Sequence, residues 1–396
     1  MKTHADHVLS TVLDVFRLRQ YFDALARGRE VLGGIGEDLG FIGDVRRALA
    51  PLPGEKHPRP TRSPFAPEEA IDLPGLEGRR VALLATGGSG ALASVVGVVR
   101  ALEDGGIRPS LISTCSGSAL FGFPLAAGVP SAETAEFCLQ LRPSEYVDVD
   151  WRALATLAPA RARGFAGVIR GERLEAAYRG LLGDLKLGQL PVPAYAPIWS
   201  IEHNRVEYIG PRTYPDMPVA TAVRMAVSLP LFIEPVPMEG EHWCDGGIVD
   251  IFPVIPALDI EQPPDVALAV NGFYPTGFEG EDATGWQDRT ASILYVASQV
   301  RTAQQVELAR TNLMRLRRSV EVVAIEPVPY EKVRGVGFYR QFLSTRDWAE
   351  FMLAGRLAAR QALTGVYGTG QGPGVHRSTR IKKPSASSAG PRPTGG

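Results

Sequence analysis

From Val81 to Val99 the chain runs nineteen residues without a charged side chain, broken in its middle by Gly87-Gly88-Ser89-Gly90. A run of that length and apolarity could cross a membrane as one helix. The glycine-rich centre instead divides it. Val81 to Thr86 reads as a short buried strand, the glycine segment as a turn, and Ala91 to Asp104 as a helix. Gly105-Gly106 ends that helix, Leu111 to Cys115 makes a second apolar strand, and Ala119 to Ala127 suits a helix of small residues. This βαβα alternation predicts a three-layer α/β/α fold with a mostly parallel central sheet, because parallel strands need crossover helices that cover both faces. Further strands are expected at 194–201, 206–209, 266–271 and 320–325, and long helices at 293–316 and 339–363.

The flanks read differently. In residues 1–50, Val8, Val12, Val15, Arg19 and Phe22 recur at helical spacing, and Arg17, Arg19, Arg27 and Arg29 make a basic face. The segment is expected to be a helical extension packed on the main domain. Residues 51–79 are proline-rich and read as an extended linker. Residues 80–367 form the main domain. Residues 368–396 are rich in Gly, Pro and Ser with five basic residues and no acidic one, the composition of a disordered basic tail. The 42 basic and 43 acidic residues leave a net charge of −1, which supplies no field to draw nucleic acid. Three cysteines and six histidines are too few for a disulfide scaffold or a zinc module, so neither a metal nor a cofactor is expected. Asp14 cuts short the apolar run from Val8 to Leu13 and no cleavage site follows, so a cytoplasmic chain is expected.

Three segments carry chemistry. In Pro109 to Leu120 an apolar strand ends, Ser116 sits at the turn, and a helix of small residues begins. That is the layout of a nucleophile elbow, which lifts a serine hydroxyl away from the sheet at a helix N-terminus. Taken alone, such a serine can equally be a helix cap. Thr86-Gly87-Gly88-Ser89-Gly90 follows the first strand and exposes backbone N–H groups. It could cradle a phosphate, form an oxyanion hole, or serve only as a tight turn. It has neither a Walker lysine nor a full G-x-G-x-x-G pattern. Asp245-Gly246-Gly247 could hold a carboxylate at a strand end, or could be a simple turn.

Together these segments resemble the patatin-like phospholipase family. The glycine loop and its helix through Leu102 look like that family's oxyanion motif, and Pro109 to Leu120 looks like its serine elbow. Gly171 to Glu175, Leu190 to Pro193 and Ala222 to Phe232 resemble its intermediate landmarks in the right order. Asp245-Gly246-Gly247, with Ile251 to Val254 soon after, resembles its acid motif. The likeness covers roughly residues 80–260. It implies a patatin-like fold and a Ser–Asp dyad that cleaves lipid acyl esters. Ser116 would be the nucleophile, Asp245 the general base, and the amides of Gly87, Gly88 and Ser89 the oxyanion hole. The implied partner is a lipid or acyl-ester substrate, with room for peripheral membrane contact.

The chain departs from the family pattern at three positions. Thr114 and Ser118 stand where the elbow has glycines, and Ala91 stands where the glycine loop has a basic residue. These departures leave a non-catalytic binding module of the same fold as a competing expectation. Acyl transfer to an alcohol or amine would use the same dyad as hydrolysis. A Ser–His–Asp triad through His242 also stays open, with surface roles expected for His203 and His242. Leu120, Phe121, Phe123, Phe165, Val168, Ile169 and Phe232 could wall a lipid site or simply fill the core, and the segment 158–171 could cover the site. Cys115 and Cys244, each preceding a dyad candidate, are expected to be buried apolar residues; a redox pair is the alternative.

Overall fold

The computed structural model describes residues 62–67, 69–142, 146–148, 167, 169–230, 232–273, 293–329, 341 and 345–368. The expected N-terminal extension, the first part of the linker, the basic tail, Phe165, Val168 and residues 158–166 lie outside them.

The strands are β1 (Val81–Ala85), β2 (Leu111–Ser113), β3 (Ala194–Ser200), β4 (Arg205–Ile209), β5 (Val236–Met238), β6 (Glu241–Asp245), β7 (Val266–Val270) and β8 (Glu321–Ile325). The helices are α1 (Ser94–Asp104), α2 (Ala119–Ala126), α3 (Ser131–Gln140), α4 (Glu172–Leu182), α5 (Val219–Ala226), α6 (Ile255–Leu258), α7 (Ile293–Arg317) and α8 (Trp348–Tyr367). The eight strands form one sheet in the order β5-β6-β3-β2-β1-β7-β8, with β4 pairing β3 off that path.

From β3 to β8 that path is wholly parallel. β1 and β7 show why. Their residues are buried without a break, and alternate side chains enter opposite cores. Val81, Leu83, Ala85, Val266, Leu268 and Val270 pack among α1, α2 and α8. Ala82, Leu84, Ala267 and Ala269 pack with Val306, Ala309, Leu313 and Leu316 of α7. Small residues on the second face let α7 lie close, and a sheet covered on both sides reads as a continuous apolar run. The architecture is therefore the expected three-layer α/β/α one with a mostly parallel sheet.

Three findings differ from the sequence expectation. The sheet has an antiparallel wing in which β3 pairs β4 and β6, and β6 pairs β5. The β5–β6 turn puts Glu239 and Gly240 at φ +53° and +83°, a two-residue hairpin turn that glutamate seldom adopts, so no hairpin signal stood out. Second, α8 begins at Trp348, after non-helical residues 345–347, and residues 339, 340 and 342–344 of the expected helix lie outside the described residues. Third, the described part of the expected linker is packed, with Leu73 and Leu76 in the core and the Ile71 N–H donating to the Asp104 carbonyl. The packed domain thus begins before Arg80.

α1 and α8 approach closely, since a Cβ at Gly97 would fall 1.8 Å from the Met352 carbonyl oxygen. The end of α1 is tied to the middle of α8 by buried Asp104, whose carboxylate takes Arg356 Nε at 2.8 Å and Arg360 Nη1 at 2.9 Å. Among the described residues no helix is long and apolar enough to cross a membrane. The segment from Val81 to Val99 that could have done so is strand, turn and helix.

Candidate active site

Open parallel sheets place their loops for chemistry at the C-terminal ends of the strands. Here β1 runs into the glycine loop and β2 into the Ser116 turn, and both loops leave the sheet side by side. Cys115 is extended at φ −139°, Ser116 flips to φ +53°, and Ser118 is already helical. A left-handed conformation at a non-glycine residue costs of order 1–3 kcal/mol and persists only when the surroundings impose it.

Two of those surroundings are the departures from the glycine pattern. Ser118 Oγ accepts the Cys115 N–H and donates to the Cys115 carbonyl, both at 2.8 Å, so its hydroxyl bridges the turn from inside. The Thr114 methyl lies over Gly122 of α2, where a Cβ would sit 2.4 Å from Thr114 Cγ2. A β-branched residue before the turn is thus accommodated by a glycine one helical face away. The sequence reading counted both residues as losses. A serine two residues past the turn was legible as a capping candidate, whereas the 114–122 contact carries no sequence signal.

The glycine loop meets the turn at Gly117. A Cβ there would lie 2.2 Å from the Gly88 carbonyl oxygen, so only glycine permits the approach. Among the described residues the Gly88 and Ser89 amides have no acceptor, but the Gly87 N–H already donates to the Ile251 carbonyl at 2.8 Å. That bond anchors the loop through Gly87 and engages its hydrogen. The Thr86 hydroxyl takes the Gly272 N–H at 3.0 Å and fixes the loop from the β7 side.

Asp245 ends β6, opposite Ile198 of β3, and its N–H donates to the Ser228 carbonyl. Its side chain is fully buried, and Oδ1 accepts the Gly247 N–H at 2.8 Å. Ser116 is 8% exposed. Its hydroxyl lies close enough to the Asp245 carboxyl to favour the ionised form. The contact falls short of full hydrogen-bond geometry, since Oδ2 has no close donor. Burial pushes the Asp245 carboxyl up to about 7, opposed by the Ser116 hydroxyl and the Gly247 amide. Catalytic hydrogen bonds are often long in a resting site and tighten around substrate.

The histidines lie elsewhere. His242 is exposed with Nδ1 on Glu202 at 2.7 Å, and His203 Nδ1 is 3.0 Å from Glu241. Both imidazoles thus pair with carboxylates of the antiparallel wing. All three cysteines are free and buried. Burial, then the charges of Asp245 and Asp250, hold the Cys115 thiol well above its ordinary value. Burial, with Asp245 next, pushes the Cys244 thiol up to about 12. These are neutral packing residues rather than redox-poised ones. Of the expected wall residues, Leu120, Phe121, Phe123 and Ile169 are in the core and Phe232 is half-buried against it.

The sequence reading missed one group of residues. The loop 246–253 after Asp245 is held by Tyr208, Gln305 and Asn312, with Asp250 at its centre. A lone acid inside Ile248-Val249-Asp250-Ile251-Phe252 was the available signal.

Known proteins resemble parts of this chain. Residues 83–258 match the model of the family described as patatin-like phospholipase. An uncharacterised NTE family protein of Mycobacterium tuberculosis is 28% identical over 204 residues, 51% of this chain and 52% of that protein. A counterpart in Mycobacterium bovis matches equally. The chain thus spans about half the length of the curated relatives it matches. Among solved structures, VipD from Legionella pneumophila covers 81% of this chain and 73% of its own at 15% identity, with a TM-score of 0.42. Human GIVD cytosolic phospholipase A2 covers 83% and 61% at 10% identity, with a TM-score of 0.39. Through residues 83–258, this chain is similar to the patatin-like phospholipase family.

Proposed function

We propose that the chain is a lipid acyl hydrolase working through a Ser116–Asp245 dyad. The observation that carries this reading is a buried serine held at positive φ beside a fully buried carboxyl, one of whose oxygens has no donor. A serine used only as a cap has no need of either feature. The family's phospholipase activity supports a lipid ester as the substrate.

In this mechanism ionised Asp245 takes the Ser116 proton as Oγ attacks the ester carbonyl. The carbonyl oxygen becomes an oxyanion, met by the amides of Gly88 and Ser89 with that of Gly117 beside them. Such donors are each worth about 10²–10³ in rate when they are fixed in advance. Collapse breaks the ester C–O bond, and protonated Asp245 returns its proton to the departing alcohol. Water then gives a proton to Asp245 and attacks the acyl-enzyme; the acyl C–Oγ bond breaks, Asp245 passes that proton to Ser116 Oγ, and the fatty acid leaves. A carboxyl near 7 suits both halves of this cycle, since it accepts and returns a proton near neutrality.

The test is fluorophosphonate labelling together with hydrolysis of a short-chain ester and of phospholipid vesicles, for the native chain, Ser116→Ala and Asp245→Asn. Labelling and turnover in the native chain, with both lost in Ser116→Ala, are expected. No labelling and no turnover in the native chain would refute the enzyme reading, and activity surviving in Ser116→Ala would refute the assignment of the nucleophile.

A further inference from the structure

The loop 246–253 touches every part of the site. It begins at Asp245, whose Oδ1 takes the Gly247 N–H at 2.8 Å. Its Ile251 carbonyl accepts the Gly87 N–H at 2.8 Å and so holds the glycine loop. Its Asp250 carbonyl accepts the Cys115 thiol at 3.5 Å, and its Pro253 carbonyl accepts the Ser113 hydroxyl at 2.7 Å. Those two contacts hold the residues leading into Ser116. The Ile251 side chain fills the remaining gap, since a Cβ at Gly87 would fall 2.4 Å from its Cδ1.

Something must fix this loop in turn, and the Asp250 side chain is placed to do it. Tyr208 of β4 donates its hydroxyl to Asp250 Oδ2. Asn312 of α7 donates to Asp250 Oδ1 at 3.0 Å and, from the same nitrogen, to the Phe252 carbonyl at 3.0 Å. Gln305, two turns earlier on α7, donates to the Gly247 carbonyl at 2.9 Å. Both Asp250 oxygens accept from donors on different elements, one from the antiparallel wing and one from the layer opposite. An amide at this position could accept on one oxygen only. A carboxyl in an otherwise apolar run is costly to bury, and that cost is characteristic of groups that fix register rather than add stability.

We infer that Asp250 is a positioning residue: its buried carboxyl, clamped by Tyr208 and Asn312, holds the loop that sets Asp245, the Ser116 turn and the glycine loop in mutual register. Asp250 does not touch the reacting atoms. The inference rests on the Ser116–Asp245 reading for its catalytic consequence, while the geometric claim stands by itself. Supporting residues of this kind commonly matter to activity nearly as much as the groups they orient.

The test uses the full chain with Asp250→Asn and, as a milder variant, Tyr208→Phe. One readout is kcat and KM on a short-chain ester. The other is hydrogen–deuterium exchange by mass spectrometry over 86–90 and 113–118, with β7 and β8 as internal reference. Both segments are more than a hundred residues from position 250, and a simple loss of global stability would move the reference equally. Expected are a fall in kcat of about 10- to 100-fold, the scale of an ångström-level misplacement, with KM within about twofold. Exchange should speed in 86–90 and 113–118 while the reference is unchanged. Unchanged kcat in both variants, or exchange that rises only in step with the reference, overturns the inference. If the native chain neither labels nor hydrolyses, the dyad reading fails and the exchange pattern alone decides the positioning claim.

Discussion

Gly117→Ala isolates the contact between the serine turn and the glycine loop. The added Cβ would lie 2.2 Å from the Gly88 carbonyl oxygen and 3.1 Å from both the Gly88 carbonyl carbon and the Ser89 oxygen. Those are backbone atoms, so no rotamer change relieves the clash. Reaching ordinary contact near 3.5 Å requires a displacement of about 1 Å. Gly117 is not among the positive-φ glycines, so alanine adds no backbone strain and the steric effect stands alone. Shifting the Gly88 and Ser89 amides by that much removes at least one oxyanion donor, a loss of about 10²–10³ in kcat, or about 2.7–4 kcal/mol. The assay is single-turnover acylation with a chromogenic ester, beside a thermal melt that confirms folding. Gly180→Ala is the control. That glycine is exposed in α4 with nothing within 4 Å of an added Cβ, so alanine there should leave kcat alone and stabilise the chain by up to about 1 kcal/mol. A folded Gly117→Ala variant with kcat within about threefold of native would refute the placing of the oxyanion at this junction.

Three further outcomes follow from the same site. Ser118→Ala removes the bridge across the turn and leaves the Cys115 N–H buried without its acceptor, so stability should fall by about 1–3 kcal/mol in a denaturant melt; an unchanged midpoint would show that the bridge contributes nothing. Asp245 is raised from 3.8 to about 7 by burial, so kcat/KM should rise with pH through about 7 as the base ionises. Its effect on stability has the opposite sign. The folded state holds this proton more tightly than the unfolded chain, so the contribution is fully present below about pH 4 and is lost as pH rises through about 7. Asp245→Asn should therefore abolish turnover yet raise the melting temperature at pH 8, by up to the equivalent of about 4 kcal/mol, and the gain should vanish near pH 4. A melting difference that does not change with pH would contradict a buried carboxyl near 7.

The parallel half of the fold was legible because its signals are local. β1 and β2 are short uncharged runs, and each is followed by small residues that end it and open a helix. The antiparallel wing was less legible, since its strands take their register from pairing with β3 rather than from their own pattern. Trp199 and Cys244 face each other across that pairing, and nothing in either segment names the other. In the site, Ser116 and Asp245 could be picked out as residue types after tight turns. Their meeting depends on β6 folding back onto β3, 129 residues along the chain from the turn. The engaged Gly87 amide was illegible for the same reason, because its acceptor at Ile251 belongs to a loop far away in sequence.

The Thr114 and Ser118 substitutions change meaning in this setting. Read as sequence, they remove glycines from a turn that is tight by design, which points toward a weakened elbow. In the folded chain Ser118 has φ −70° and never needed glycine's freedom, while the residue that does take positive φ is Ser116 itself. The other non-glycine residues with positive φ, Asn204 and Glu239, are in solvent-facing hairpin turns where neighbours demand little. Among the described non-glycine residues Ser116 alone combines that conformation with burial, beside a carboxyl whose second oxygen has no close donor. Two local costs at one point, inside a frame of hydrogen bonds from Ser118, Ile251 and Asp250, are what a site under selection for chemistry would carry. A chain that kept the fold only for binding could relax both, by letting residue 116 return to an ordinary helical cap and by replacing the acid with a neutral side chain. Under the proposed reading, strain and buried acid meet at one point, and hydroxyl and methyl contacts from Ser118 and Thr114 brace the turn where the family pattern has glycines.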